Sequence, residues 1–344
     1  MRLIAILLLL LPLALHGQGA KETQEFCVMT YNVENLFDCR HDTLKNDHEF
    51  LPEATRHWTY SKYRKKLDAI ARVIIAAGEW NLPALVALCE VENDSVMRDL
   101  TRYSALREAG YRYLMTESPD QRGIDVALLY QRQLFKPLEQ RCLPVRFPDN
   151  KRKTTRDILH VSGLLLSGDT LDVFVCHFPS RSGGAKASEP LRLQAARLLR
   201  HQADSLMMTR SYPQILIMGD LNDYPHNRSV REVLRADVPS LQPHSNGLYH
   251  LLARRCSEQP SYGSYKYQGE WGLLDHIIVS GNLLLPTASL HTDESRTAVF
   301  SPSFLLTEDP RYGGLQPFRT YYGMKYQGGY SDHLPVVCRF TLEY

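Results

Sequence analysis

The chain has 344 residues, of which 44% are apolar and 23% are charged, and this composition is typical of a globular protein rather than a low-complexity one. Its 40 basic and 38 acidic residues leave a formal net charge of only +2, so composition alone shows no strongly basic surface for a polyanion. The seven cysteines include no Cys-x-x-Cys pair and no Cys/His zinc spacing, which argues against a structural zinc site of that kind.

The first nineteen residues have the pattern of a secretory signal peptide. Met1 and Arg2 give a short positive start, Leu3–Leu15 is almost entirely apolar, and small residues follow up to Gly19. The apolar stretch is too short to span a bilayer comfortably, so we favour a cleaved signal over an N-terminal membrane anchor. We therefore expect an exported protein, periplasmic or secreted, with a single domain over residues 20–344.

Strand and helix patterns alternate along the mature chain. In chain order they predict strand Phe26–Tyr31, helix Ser61–Ala77, strand Ala84–Cys89, helix Asp94–Glu108, strands Tyr111–Thr116, Ile124–Tyr130, Glu139–Phe147, Ile158–Leu166 and Leu171–His177, helix Ser188–Met208, strand Ile215–Met218, helix Asn227–Arg235, and strands Gly272–Ser280 and Leu334–Leu342. Ser61 and Ser188 are the predicted N-caps, and most of Asn282–Tyr330 is interpreted as surface loops. This mixed order predicts a layered α/β fold with mixed sheets.

Hydrogen-bonding and metal-ligating side chains recur at the ends of six apolar runs. They are Asn32, Glu90, His177, Asp220 with Asn222, Asp275, and Asp332 with His333. In layered α/β proteins, the ends of the strands form the rim where active sites lie. Carboxylate and amide oxygens are the ligands that hard cations prefer, and imidazole either binds a metal or handles protons and phosphate. We therefore expect one shared metal-dependent site for the hydrolysis of phosphate esters.

Six segments resemble, in the same order, the motifs of the endonuclease/exonuclease/phosphatase superfamily, which includes deoxyribonuclease I, abasic-site endonucleases, sphingomyelinases and inositol polyphosphate phosphatases. The segments are Met29–Asn35, Leu88–Val91, Val175–Ser180, Gly219–Asp223, Leu274–His276 and Ser331–Pro335. The resemblance implies a deoxyribonuclease I-like fold, which is a four-layer sandwich of two packed mixed β-sheets flanked by helices. It also implies a metal-dependent phosphodiesterase.

The resemblance implies a set of metal ligands. Glu90 resembles the principal ligand, with Asn32 and Asp332 contributing, and Mg²⁺ is the expected ion with Mn²⁺ or Ca²⁺ as alternatives. Glu92 lies on the same predicted strand face as Glu90 and is an alternative ligand. Asp125 is either an acid that supports the site or a plain strand-edge residue, and the sequence leaves this open.

The resemblance also implies catalytic roles. Asp220 and Asn222 resemble the pair that orients or activates the attacking water and holds the phosphate. Asp275 and His333 resemble a carboxylate and the essential histidine that it supports, and His177 resembles the second histidine, which contacts the phosphate or the leaving oxygen. The sequence does not decide whether His333 or Asp220 is the general base.

Substrate contacts are predicted beside the site. Arg181 and Lys186 lie in or next to a Gly-rich segment just after His177, where backbone N–H groups and positive charge favour phosphate; Arg122 is a weaker candidate. The favoured substrate is nucleic acid, with phosphorylated lipids or sugars, including a sphingomyelinase-like activity, as alternatives, and a non-catalytic binding protein as a remote one. No stable protein partner is predicted. Loop aromatic residues either stack on bases or anchor the loops: Tyr262, Tyr265, Tyr267, Trp271, Tyr321, Tyr322, Tyr326 and Tyr330.

Overall fold

The computed structural model describes residues 21–344, so the predicted signal peptide lies outside the described residues. The helices are α1 (Tyr60–Gly78), α2 (Asp94–Tyr103), α3 (Ala185–Thr209) and α4 (Ala253–Glu258). The strands are β1 (Thr23–Leu36), β2 (Leu85–Val91), β3 (Arg112–Met115), β4 (Asp125–Tyr130), β5 (Phe135–Leu143), β6 (Ile158–Leu165), β7 (Thr170–His177), β8 (Gln214–Asp220), β9 (Ala236–Asp237), β10 (Leu248–His250), β11 (Tyr265–Tyr267), β12 (Glu270–Gly272), β13 (Asp275–Ser280), β14 (Leu290–His291), β15 (Thr297–Val299), β16 (Leu306–Glu308), β17 (Leu315–Pro317), β18 (Tyr321–Tyr322), β19 (Lys325–Tyr326) and β20 (Val336–Glu343). Over residues 21–344, no helix has the length and apolar character needed to cross a membrane.

Two seven-stranded mixed sheets form the centre of the molecule. The first has the order β14-β20-β1-β2-β4-β3, with β15 also paired to β20, and the second has the order β5-β6-β7-β8-β13-β10-β9. In the first sheet β1 and β2 are parallel, and in the second β7 and β8 are parallel. These four strands carry Asn32, Glu90, His177 and Asp220 at or near their ends.

Alternating apolar side chains on the central strands build the layers. In β1, Phe26 and Val28 pack between the two sheets, whereas Cys27 and Met29 face the other way and pack with α1 and α2. On the second sheet, side chains such as Phe174 pack against α3. Burial of both strand faces follows from the near-continuous apolar runs in the sequence. The resulting order of helices, sheet, sheet and helix confirms the predicted deoxyribonuclease I-like four-layer sandwich.

Both predicted N-caps are wrong. Helix α1 begins at Tyr60 after Thr59, and α3 begins at Ala185 after Gly184. Ser188 therefore lies inside α3, where its hydroxyl donates to the main-chain oxygen of Gly184 at 2.8 Å. A serine gives the same sequence signal whether it caps a helix or bonds back to the preceding turn.

Three strand and helix boundaries also differ from the predictions. Strand β1 continues through Asn32, with a bulge before Leu36. Strand β5 starts four residues before the predicted Glu139, because it is a largely exposed edge strand with no apolar alternation to fix its position. Helix α2 stops at Tyr103, since the Ser104 side chain then caps a separate 3₁₀ segment.

Candidate active site

Three neighbouring strands of the second sheet bring three predicted site residues together. Strands β7 and β8 pair His177 with Asp220, and β13 pairs Asp275 with the same Asp220. Directly paired residues project from the same face of a sheet. The imidazole and the two carboxylates therefore stand side by side at the sheet edge.

The first sheet supplies the other half of the site. The amide Nδ2 of Asn32 donates to Oδ2 of Asp220 at 3.0 Å, which joins the two sheets at the site. The Ser331 hydroxyl donates to the main-chain oxygen of Asn32 at 2.7 Å and so positions the segment that carries His333. These groups border a cleft of about 530 Å³. Among the predicted residues, the cleft is lined by Asn32, Glu90, His177, Arg181, Asp220, Asn222, Asp332 and His333.

Several residues around the cleft have unusual backbone conformations. Glu34, Asn35, Glu90 and Asn222 have φ angles of 52°, 56°, 66° and 52°, in the left-handed region that residues other than glycine rarely adopt. Each such residue costs on the order of 1 kcal/mol, and strain of this kind clusters at functional sites. The strain is consistent with a backbone held in place for its side chains.

Gly219 allows β7 and β8, which end at His177 and Asp220, to approach each other. Its φ is 139°, and a Cβ atom at this position would lie 1.8 Å from the main-chain oxygen of Cys176. Only glycine fits there, because any side chain would push β8 away from β7. The glycine before Asp220 is thus required by the geometry of the site.

His333 and Asp275 form a buried hydrogen-bonded pair. Nδ1 of His333 lies 2.7 Å from Oδ2 of Asp275, and the Ser264 hydroxyl donates to the same oxygen at 2.6 Å. Because Nδ1 donates to the carboxylate, Nε2 is left for the cleft, 3.9 Å from Oδ2 of Asp220. Burial lowers the pKa of His333, but the carboxylates of Asp275, Asp220 and Asp332 together raise it to about 10. The imidazole is therefore a cation at neutral pH.

Asp220 is the buried centre of the site. Its Oδ1 accepts the main-chain N–H of Asn222 at 2.8 Å, and its Oδ2 accepts from Asn32. Burial raises the pKa of Asp220 to about 7; the charge of His333 opposes this shift and that of Asp275 reinforces it. A pKa in this range suits a group that accepts a proton near neutral pH.

His177 is held neutral. Its Nε2 lies 3.6 Å from Oδ2 of Asp220 and 4.0 Å from Oε1 of Glu90. Burial, together with the positive charges of Arg156 and Arg122, lowers the pKa of His177 well below its usual value. Among the described residues, its Nδ1 is buried without a hydrogen-bond partner.

Two arginines bind the carboxylates predicted to hold the metal. Nη2 of Arg122 lies 3.2 Å from Oε2 of Glu90, and Nη2 of Arg319 lies 3.0 Å from both Oδ2 of Asp332 and Oε1 of Glu34. Sequence reasoning missed Arg319 and Glu34. Glu34 lies within the Met29–Asn35 motif, which was the available signal, but Arg319 lies in a segment interpreted only as loop.

The comparison with protein families decides the identity of the chain. The sequence profile of the Endonuclease/Exonuclease/phosphatase family matches residues 27–341. The chain belongs to this family. Enzymes of the Endonuclease/Exonuclease/phosphatase family are hydrolases that act on phosphoester bonds, and they generally use divalent metals. No curated protein sequence matches the chain.

Solved structures of the Endonuclease/Exonuclease/phosphatase type share the fold. A family protein from Bacteroides thetaiotaomicron is 14% identical, with 94% of this chain and 97% of that chain covered and a TM-score of 0.55. D. rerio TDP2 complexed with a single strand DNA product is 15% identical, with coverage of 92% and 98% and a TM-score of 0.54. The human Nocturnin catalytic domain with bound sulfate anion is 18% identical, with coverage of 93% and 97% and a TM-score of 0.54. At these identities the likeness shows the fold alone.

The donor set in the cleft fits the divalent metal that the Endonuclease/Exonuclease/phosphatase family generally uses. Asn32, Glu90 and Asp332 all present oxygen-bearing side chains to one cleft, and such oxygens suit a hard cation. Glu92 does not compete with Glu90, because it is not among the residues lining the cleft and its Oε2 accepts the main-chain N–H of Asp38 at 2.7 Å. The identity of the ion is not fixed by this geometry.

A compact cluster of ligand atoms also lies deeper in the site. The ligand atoms of Asp220, Asp275 and His333 all lie within 4.8 Å of one another. The short contact between His333 Nδ1 and Asp275 already commits that nitrogen to a hydrogen bond. We therefore interpret this cluster as a proton-handling network beside the oxygen ligands.

The three basic residues predicted to contact the substrate lie in different places. The guanidinium of Arg181 lies at the cleft, 4.3 Å from the ring centroid of Tyr224, and Arg122 reaches the site through Glu90. Lys186 does not line the cleft. The early start of α3 at Ala185 places this lysine in the first helical turn, where it is exposed to solvent.

Tyrosines form one wall of the cleft. Tyr265 and Tyr267 line it, as does Tyr224, which sequence reasoning missed. The Tyr265 ring lies 4.8 Å from that of His333. The other predicted aromatic residues are not part of the cleft lining: Tyr262, Trp271, Tyr321, Tyr322, Tyr326 and Tyr330.

Asp125 bonds to its own strand pair rather than to the cleft. Its Oδ1 accepts the main-chain N–H of Ser118 at 2.8 Å and the hydroxyl of Thr116 at 2.5 Å. These bonds hold the ends of β3 and β4 together. Of the two alternatives that the sequence left open for Asp125, these contacts favour the plain strand-edge residue over an acid that supports the site.

Proposed function

We propose that this protein is an exported, Mg²⁺-dependent phosphodiesterase that cleaves nucleic acid. The observation that carries the proposal is the single cleft in which Glu90, His177, Asp220 and His333 meet beside a wall of tyrosines. Neighbouring elements of both sheets meet there, so a phosphate in the cleft would contact carboxylates and imidazoles at once. Export rests on the signal-peptide pattern at residues 1–19.

The chain's own residues supply positioning and proton transfer. Asp220, fixed by Asn32 and by the main-chain N–H of Asn222, takes the proton of the attacking water. The water oxygen bonds to phosphorus, the P–O bond to the leaving oxygen breaks, and that oxygen takes a proton from solvent. Nε2 of His333, oriented by Asp275, donates to a phosphate oxygen as negative charge develops.

The metal and the second histidine complete the arrangement. Glu90 and Asp332, with the amide of Asn32, would hold the divalent ion, which neutralises phosphate charge when bound. Neutral His177, whose Nε2 faces the carboxylates of Asp220 and Glu90, offers an N–H to the same phosphate. These groups could act on either a phosphodiester or a phosphomonoester, and the walls of the cleft favour a phosphodiester.

The walls of the cleft support nucleic acid as the substrate. Tyr224 with its stacked Arg181, and Tyr265 with Tyr267, offer flat faces on which bases stack. The loop after His177 carries Gly183 and Gly184 with φ angles of 79° and 108° in the lining of the cleft, so no side chain at these two positions obstructs an incoming backbone phosphate. One structural relative was solved with a single strand DNA product and another with a sulfate anion.

A substrate panel tests the proposal. Purified mature protein with Mg²⁺ is incubated with single- and double-stranded DNA, RNA, an inositol polyphosphate and sphingomyelin vesicles, and the products are quantified. We expect cleavage of at least one nucleic acid, loss of that cleavage in Asp220→Asn, and full activity in the exposed matched control Asp237→Asn. Release of phosphate or phosphocholine without nucleic-acid cleavage would contradict the substrate assignment, and no activity on any substrate would contradict the enzyme itself.

A further inference from the structure

A second cluster of ligand side chains lies outside the cleft, on the segment between β1 and α1. His41, Asp47 and His48 bring three ligand atoms within 4.8 Å of one another. The two imidazole rings lie 4.5 Å apart between centroids, tilted by 33°, and Nδ1 of His41 lies 2.5 Å from Oδ1 of Asp47. Nothing in the proposed hydrolysis uses these residues.

Asp47 is a rigid anchor for this cluster. It is buried, with 1% of its surface exposed, and its second carboxylate oxygen, Oδ2, accepts the main-chain N–H of Asp42 at 2.7 Å. Its main-chain oxygen accepts from Phe50 at 2.8 Å, which starts the 3₁₀ turn that carries His48. One carboxylate oxygen is therefore held by the backbone, and the other faces the two imidazoles. Ligands of metal sites are usually oriented by hydrogen bonds of this kind.

The surroundings of the cluster are acidic. Asp38, Asp42 and Asp47 all lie close enough to Glu92 for their negative charges to raise its pKa. Within residues 21–344, no lysine or arginine side-chain nitrogen lies within 4.0 Å of these four acids, and the one ion-pair contact is from His41 to Asp47. Arg40 acts only on Asp38, through its charge and its main-chain N–H. A buried carboxylate in such a neighbourhood is stabilised by a cation.

We propose that His41, Asp47 and His48 form a second metal site, which takes a transition-metal cation of the Zn²⁺ type. Two imidazoles and one carboxylate suit Zn²⁺, which binds nitrogen and oxygen ligands at about 2.0–2.2 Å and readily keeps water in a fourth position. The exposed edges of both histidines leave room for that water. The oxygen ligands of the cleft prefer a harder ion, so the chain separates two metals by ligand type.

The site would stiffen a segment that is connected to the cleft through Gln121 and Arg122. The main-chain N–H of Asn46 donates to the oxygen of Gln121 at 2.8 Å, and the next side chain along, Arg122, binds Glu90. Binding of the ion replaces the hydrogen bond between His41 and Asp47 with two bonds to the metal. We assign the ion no part in the hydrolysis, since the cluster lies outside the cleft lining.

Metal titration of the whole mature protein tests this site. Chelator-treated protein in excess Mg²⁺ is titrated with Zn²⁺ by calorimetry and with Co²⁺ by visible absorption, in wild type, His41→Ala, His48→Ala and the matched control His201→Ala, an exposed histidine on α3. We expect the two loop variants to lose one equivalent of bound metal, or to bind it at least tenfold more weakly, and to lose the thermal stabilisation that Zn²⁺ gives wild type.

The outcomes separate this site from the cleft. Repeating the titration in a His333→Ala background removes an imidazole of the cleft and leaves the loop site intact, so one tight equivalent should persist. Unchanged stoichiometry and affinity in His48→Ala would overturn the proposal. His48 is exposed and no residue of its 3₁₀ turn is buried, so its variant is expected to fold. Metal-free melting curves check this.

Discussion

Replacing Asp275 with asparagine tests the buried pair that orients His333. The substitution keeps the shape of the side chain but removes the negative charge of the group that accepts the 2.7 Å hydrogen bond from Nδ1 of His333. A hydrogen bond to a charged group contributes about 1.5–3 kcal/mol, which corresponds to about a 10- to 150-fold loss in rate. Because His333 also loses the charge that favours its imidazolium form, we expect the upper part of this range in kcat, with little change in KM.

The assay is steady-state cleavage of the best substrate from the panel, with circular dichroism and melting curves to confirm the fold. Ser264→Ala is the matched control, since its hydroxyl donates to the same Asp275 oxygen at 2.6 Å without touching His333. It should lower kcat by less than about tenfold, because Asp275 keeps its charge and its hydrogen bond to His333. If folded Asp275→Asn keeps kcat within about threefold of wild type, the catalytic role given to this pair is refuted.

Three further predictions concern stability and substrate. Gly219→Ala places a Cβ 1.8 Å from the main-chain oxygen of Cys176 and should lower the free energy of unfolding in urea by about 2–4 kcal/mol; an unchanged midpoint would contradict the close strand approach. Tyr267→Ala removes a 60% exposed ring from the cleft wall and should raise KM for single-stranded DNA, because the loss of one stacked base weakens binding by about 1–3 kcal/mol. The KM for a small aryl phosphodiester should be unaffected, and an equal effect on both substrates would argue against base stacking. Burial lowers the pKa of His276 from 6.5 to about 4, and its Nδ1 and Nε2 bond to His250 and to a main-chain oxygen. As pH falls, His276 is therefore protonated in the unfolded chain at a higher pH than in the folded one. The free energy of unfolding should then fall between about pH 6.5 and pH 4, by up to ~1.4 kcal/mol per pH unit. His276→Gln should reduce that slope, and an identical slope would show that other groups cause it.

The sequence predicted the centre of the site because its residues lie at strand ends. Once β7 and β8 pair in parallel, the apolar runs before His177 and Asp220 must finish at the same edge. Glu90 likewise follows an apolar run, and the structure places it in β2 of the other sheet. When strands formed by short apolar runs pair, the polar residues at their ends are brought together.

Residues outside the strands were harder to predict. Arg319 reaches Asp332 from a loop in which no periodic pattern sets the side-chain direction. Tyr224 was missed because aromatic residues in loops give the same signal whether they line a cleft or anchor a turn. Lys186 was placed at the cleft by its nearness in sequence to His177, but the first turn of α3 directs it elsewhere.

The second cluster of ligand side chains could not be predicted from the sequence for a different reason. His41, Asp47 and His48 do not match a Cys/His zinc spacing, so no sequence pattern grouped them. Their approach depends on the 3₁₀ turn that begins after Asp47 and on the hydrogen bond from Asp42. Such irregular backbone is not encoded in hydrophobic periodicity.

The dependence of phosphodiester cleavage on Mg²⁺ tests the central claim most directly. Chelator-treated wild-type protein is assayed as Mg²⁺ is added back, beside Glu90→Gln, which keeps the size of the side chain and removes its charge. We predict no cleavage without metal, a saturable recovery in wild type, and at least a tenfold higher Mg²⁺ requirement or no recovery in the variant. Equal cleavage by both proteins in the presence of excess chelator would contradict a metal-dependent site at Glu90.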